Sequence, residues 1–175
     1  METRTILLPP VALPDLKSNL RLTTDAFDED LLLKLEAAVE ECEAVTGVAL
    51  VPANYRLECA FQSVKALRWP LVSLTSVKVD GALVPSTEYT VDKDLSVLVM
   101  NESVKGGRME VVYRAGTSAM PRKAEMAAIL IASDLFDNPT NAVRERGQQS
   151  DVLLRSLVLE GRARKEDVEQ KYGSI

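Results

Sequence analysis

Two hydrophobic periods divide the chain. Leu31, Leu35, Ala38 or Val39, Cys42 and Val45 recur in steps of three and four, which places them on one stripe of a helix. That helix is predicted from Asp28 to Thr46. Asp28, Glu29 and Asp30 would complement the dipole of its first turn, Thr24 or Asp25 would cap it, and Gly47 would stop it. A shorter helix is expected from Pro14 to Leu20, with Pro14 at its first position. Residues 1–12 read as irregular, because Pro9, Pro10 and Pro14 interrupt any pattern.

The middle of the chain alternates instead. Tyr55 to Phe61, Ser73 to Val79 and, more loosely, Ser96 to Met100 read as strands, joined by Tyr89 to Val91 and Arg108 to Tyr113. Asp80-Gly81 between Val77–Val79 and Ala82–Val84 signals a tight hairpin. Helical spacing returns from Pro121 to Asp137 through Met126, Ile129, Leu130, Ser133 and Leu135 or Phe136, and Asn138-Pro139 closes it. Asn141 to Gln149 is polar and reads as a linker. Ser150 or Asp151 would then cap Val152 to Glu160, whose apolar face is Leu153, Leu154, Leu157 and Val158. Gly161 reads as a break before a last short helix, Lys165 to Tyr172. The expected class is α+β, a small bundle of N-terminal and C-terminal helices with an antiparallel β-hairpin insertion and a C-terminal helical tail. The core would span 1–138, with helices at 14–46 and 121–137 around an insertion at 55–115. A linker and docking tail would fill 139–175.

Composition narrows the chemistry. At 175 residues the chain can bury a substantial core, and with 5% aromatics that core must rest on Leu, Val and Ala. No apolar run approaches the roughly 20 residues that span a bilayer, and the first ten residues hold too short an apolar stretch for a secretory signal. A cytosolic origin without a membrane partner is expected. Histidine is absent, which removes the usual general base and the commonest zinc ligand. Cys42 and Cys59 form no CxxC pair, and Cys42 on the helical stripe reads as a small buried hydrophobe.

No other pattern supplies a catalytic or metal site. Counted from Asp25, a calcium loop would need an oxygen ligand at its third position and glycine at its sixth, where Phe27 and Asp30 stand. Lys105-Gly-Gly-Arg108 lacks phosphate-loop spacing and reads as a hairpin turn. Paired carboxylates sit in no motif that would raise a pKa. The expectation is no enzyme, no metal and no cofactor.

Charge is uneven within a net of −5. Between Asp25 and Gly47 eight acidic residues face the single Lys34, whereas from Pro139 onward seven basic residues balance six acidic ones. An acidic body argues against a conventional DNA reader. Glu36, Glu40 and Glu43 would form a solvated outer face or, if several copies faced one channel, a ring of negative potential past which DNA could slide. The tail offers the other candidate surface. Leu153, Leu154, Leu157 and Val158, surrounded by Arg144, Arg146, Arg155, Arg162 and Arg164, would either fold back on the body or dock into a partner as a helix in a groove.

The order of these segments resembles the head–tail connector (adaptor, head completion) proteins of tailed bacteriophages. The resemblance rests on Leu13, Leu16, Lys17, Leu20 and Arg21, then on Glu29-Asp-Leu-Leu32 and Glu43, Thr46 and Gly47. It continues in Trp69-Pro-Leu71, Ser76-Val77, Asp80-Gly81 and Tyr89 with Val91, and closes on Val111, Tyr113, Ala115, Gly116 and Pro121. The match runs from about Leu13 to Asn138, leaving the last 37 residues unmatched. The resemblance implies a structural virion protein at the head–tail interface, assembled in the host cytoplasm. It would form a ring under the portal protein with the portal's twelve-fold symmetry. That ring would lengthen the channel for passing genomic DNA, without sequence-specific binding, and present a platform to a stopper or tail-completion protein. The alternative from residues alone is another virion or cellular interaction module without a portal partner.

Overall fold

The computed structural model describes residues 1–6, 13–138 and 148–173. They divide between a helical unit, with 13–50, 119–138 and 148–161, and a sheet unit, with 1–6, 51–118 and 162–173.

The helical unit is built from α1 (Leu13–Asn19), α2 (Asp28–Thr46), α3 (Arg122–Asp137) and the first part of α4 (Gln148–Tyr172). α2 runs along α3, and α1 rests on both. The buried face of α2 is Leu31, Leu35, Ala38, Val39 and Cys42, the predicted stripe without Val45, which is half-buried. α3 turns Ala124, Ala127, Ala128 and Ala132 inward, and small side chains there let two helix backbones approach. Gly47 ends α2 in the left-handed conformation, φ +70°, and donates its N–H to the Glu43 carbonyl at 2.9 Å.

The start of α2 departs from expectation. Phe27 precedes the helix and makes no side-chain cap. Its ring meets Phe136 edge to face at 5.6 Å, so an aromatic contact fixes the entry of the chain. Thr24 instead accepts the Ala26 N–H, and Asp25 pairs with Lys17 at 2.5 Å. The start of α3 follows the sequence: Pro121 holds φ at −58°, and its carbonyl accepts the Glu125 N–H at 3.0 Å.

The sheet unit contains β1 (Glu2–Ile6), β2 (Ala53–Ala60), β3 (Val64–Ala66), β4 (Leu71–Val79), β5 (Ala82–Leu83), β6 (Tyr89–Asp92), β7 (Val97–Met100) and β8 (Arg108–Ala115). They form two antiparallel sheets in the orders β1-β2-β8-β4-β5 and β3-β7-β6. β8 is central: Met109, Val111, Tyr113 and Ala115 point inward, while Arg108, Glu110, Val112 and Arg114 point the other way. Tyr113 lies opposite Tyr55 in register, and their rings stack at 5.3 Å. Asp80 (φ +50°) and Gly81 (φ +83°) make the predicted turn between β4 and β5. Gly116 ends β8 at φ +119°, where a β-carbon would stand 2.0 Å from the Val51 carbonyl oxygen.

Four further expectations are corrected. Residues 2–6 form a strand, because Glu2 to Ile6 pairs with β2 from Leu57 back to Ala53, a partner no local pattern reveals. Lys105 to Arg108 is not a hairpin turn: it carries the chain from β7 in the smaller sheet to β8 in the larger one. Of the expected linker, 141–147 lie outside the described residues, and Gln148 already begins α4. Gly161 lies inside α4, which therefore joins the two expected tail helices into one. A β-carbon on Gly161 would sit 2.0 Å from the Thr46 carbonyl oxygen, so the glycine serves a close approach between α4 and the end of α2.

Candidate functional site

A shallow cleft of about 260 Å³ on the larger sheet is lined by Glu58, Lys78, Gly81, Arg108 and Glu110. Its charges satisfy one another: Glu110 takes Lys78 at 3.0 Å and Arg56 at 2.5 Å, and Glu58 takes Arg108 at 2.5 Å. The bond from Lys78, joined by that from Arg56 and opposed by desolvation, leaves the Glu110 carboxyl below its usual range, unsuited to general-acid work near neutrality. Among the described residues no group of three or more His, Cys, Asp or Glu is placed to hold a metal. No described helix is long and apolar enough to cross a membrane.

The acids of α2 part company. Glu36 and Glu40 are exposed, but Glu43 is only 5% exposed. After Gly47 the chain turns back through Val48, Ala49 and Leu50, all buried, and covers the last turn of α2. The Glu43 carboxylate accepts the Leu50 N–H at 2.7 Å there. It is a cap for the returning chain, so the three-acid surface expected from spacing reduces to Glu36 and Glu40.

The tail residues divide in the same way. Leu154 and Leu157 are buried, Leu153 and Val158 half-buried, and Arg155 and Arg162 exposed. Arg144 and Arg146 lie outside the described residues. Arg164 is committed within the sheet unit: Nε and Nη2 donate to the Leu95 carbonyl at 3.1 and 2.8 Å, and Nη2 also donates to that of Leu67 at 3.1 Å. Burial pushes its pKa down, and the guanidinium satisfies carbonyls rather than offering itself to a partner. Further along, Lys171 and Tyr172 donate to Asp92 at 2.7 and 3.0 Å. Lys171, with the Leu95 N–H, holds the Asp92 carboxyl at about 2.

Two features escaped the sequence reading. Glu2 accepts the Tyr113 hydroxyl at 2.7 Å and both Nε and Nη2 of Arg68 at 3.1 and 3.0 Å, a knot invisible while residues 1–12 read as irregular. Burial, then the bond to Glu2, pushes the Tyr113 hydroxyl well above its ordinary pKa. The other is a second apolar line on α4, Val152 and Leu159, exposed on the side opposite Leu154 and Leu157. Their spacing of seven was legible, yet a single apolar face was expected.

No family model matches the sequence, and no curated protein does. Solved structures match the fold over nearly the whole chain. One is the neck of an empty gene transfer agent (GTA) particle in C6 symmetry, with a TM-score of 0.72, 21% identity and coverage of 90% of this chain and 94% of that one. The virion of a native GTA particle gives a TM-score of 0.71 at 22% identity with the same coverage. The neck of a native GTA particle in C12 symmetry gives 0.67 at 21% identity, again covering 90% and 94%. This chain and those particle chains share one α+β fold.

Proposed function

We propose that this chain is a structural protein of a phage-like virion, a head–tail connector that forms an oligomeric ring under the portal. In that role it joins capsid to tail, extends the channel for genomic DNA and offers its far side to a stopper or tail-completion protein. The observation that carries the reading is the shared fold over 90% of the chain with chains from GTA particles, two of them necks. It agrees with a resemblance drawn independently from sequence segments between Leu13 and Pro121. The self-satisfied charges of the sheet cleft also suit a structural role better than a catalytic one. Of the described tail arginines expected to meet a partner, Arg155 and Arg162 have exposed side chains suited to it.

The test is to mix the purified chain with the portal protein of the same genome and weigh the complex by native mass spectrometry. One copy of the chain per portal subunit is expected. An intact portal ring that takes up no chain would contradict the reading.

A further inference from the structure

The two faces of the larger sheet differ. One holds the stacked Tyr55 and Tyr113 with the buried Met109 and Val111. The other is polar and open. Residues directly opposite on paired strands share a face, so the register assembles it. Arg56 stands opposite Val112, Glu58 and Lys78 opposite Glu110, and Asn54 and Ser73 opposite Arg114. Thr3 and Thr5 of β1 extend the same face. Charge is layered there. The Glu110 and Glu58 carboxylates lie low, 18% and 29% exposed, while their partners Lys78, Arg56 and Arg108 reach outward at 41%, 56% and 72%. Arg114 is exposed and forms no ion pair among the described residues. Asp80, at the rim, turns its carboxylate to the N–H groups of Gly107 and Arg108. Four cations therefore stand over two carboxylates, on a chain whose net charge is −5.

We propose that this face meets the phosphate backbone of duplex DNA without reading its sequence. Arginine, lysine, serine, threonine and asparagine are side chains that contact phosphates and sugars, and here they share one surface. Arg108 and Arg114 stand at the two ends of their row on β8, about 20 Å apart, so the face spans several phosphates at once. A protein partner would call for aromatic or large apolar anchors, and a single strand for aromatic platforms under its bases. None of the paired residues of this face is aromatic. The acidic charge elsewhere on the chain is screened beyond a Debye length, roughly 8 Å at physiological salt, so the local cations decide the contact. The inference rests on the connector reading above and names the surface that the passing DNA touches.

Nuclear magnetic resonance of the full chain tests it, with a short DNA duplex as the probe. Amide shifts are expected in β1, β2, β4 and β8, equal for AT-rich and GC-rich duplexes and fading as salt rises. Arg108→Gln with Arg114→Gln should flatten the slope of log affinity against log salt by about 1.8, since each lost phosphate contact removes about 0.9. Arg108→Lys with Arg114→Lys should keep the slope, because charge makes the contact. The spectrum of each variant also shows that it is folded. No shifts at millimolar duplex, shifts confined to other residues, or an unchanged slope in the folded glutamine variant would each overturn the DNA face. Shifts there that grow with the concentration of the chain alone, and not with DNA, would give the face to a second copy instead. Adding the portal separates the two ideas. Portal binding without DNA shifts leaves the connector and removes the DNA face; DNA shifts without portal binding leave the face and remove the connector.

Discussion

The helical unit and the sheet unit are stabilised by different means. In the first, α2 buries Leu31, Leu35, Ala38, Val39 and Cys42, and α3 buries four alanines, so helix contact depends on shape and on side chains small enough to permit it. Several polar ties there, Asn19 to Ser133 and Lys17 to Asp25 and Asp28, are partly or wholly exposed, and the buried one from the Leu50 N–H to Glu43 is local to the end of α2. In the second unit, polar groups bind strands that are distant in sequence. Glu2 gathers Tyr113 and Arg68, Asp80 takes the N–H groups of Gly107 and Arg108, and Arg164 and Asp92 secure the end of α4. One unit should therefore be sensitive to volume, the other to hydrogen bonding and acid.

The largest effect is expected from Leu35→Ala, which empties a site in the helical core and should cost about 2–5 kcal/mol in urea unfolding at pH 7. Gly161→Ala asks the opposite question of the same unit. Its methyl would meet the Thr46 carbonyl oxygen, and overpacking against backbone should cost about 1–3 kcal/mol; a neutral result would show that α4 can shift away. In the sheet unit Arg164→Ala removes no core hydrocarbon but leaves the Leu95 and Leu67 carbonyls without their donor. A loss of about 1–2 kcal/mol is expected, visible as a lower urea midpoint.

The smallest effect is the most selective. Asp92 titrates at about 2 when folded, below its ordinary 3.8, so the native state binds its proton less readily than the unfolded chain does. Its contribution is fully present above about pH 4 and is lost as the pH falls toward 2. Asp92→Asn should thus lower stability at pH 7 by less than about 1 kcal/mol and narrow the gap between wild type and variant in acid. A gap that stays constant down to pH 2 would contradict the assignment.

Legibility in the sequence follows the same division. The bounds of α2, the stop at Gly47 and the Asp80-Gly81 turn depend on neighbouring residues, and local pattern located them. β1 depends on residues 53–57 and was missed. The split into two sheets was missed for the same reason, since strand periodicity carries no address for the partner strand. Gly161 shows how a correct residue can give a wrong inference: glycine suggests a break locally, but its value lies in the distant carbonyl it admits. Glu43 fails similarly, because spacing groups it with Glu36 while the returning chain buries it. At the candidate surface, Arg155 and Arg162 were named from sequence and are exposed, whereas Val152 and Leu159 required knowing which face of α4 points outward.

The connector proposal is tested most directly by electron cryomicroscopy of the neck of particles produced by the same genome. The account predicts this α+β fold as a ring around the DNA channel between portal and tail. A neck resolved between portal and tail that contains no copy of the fold would contradict it.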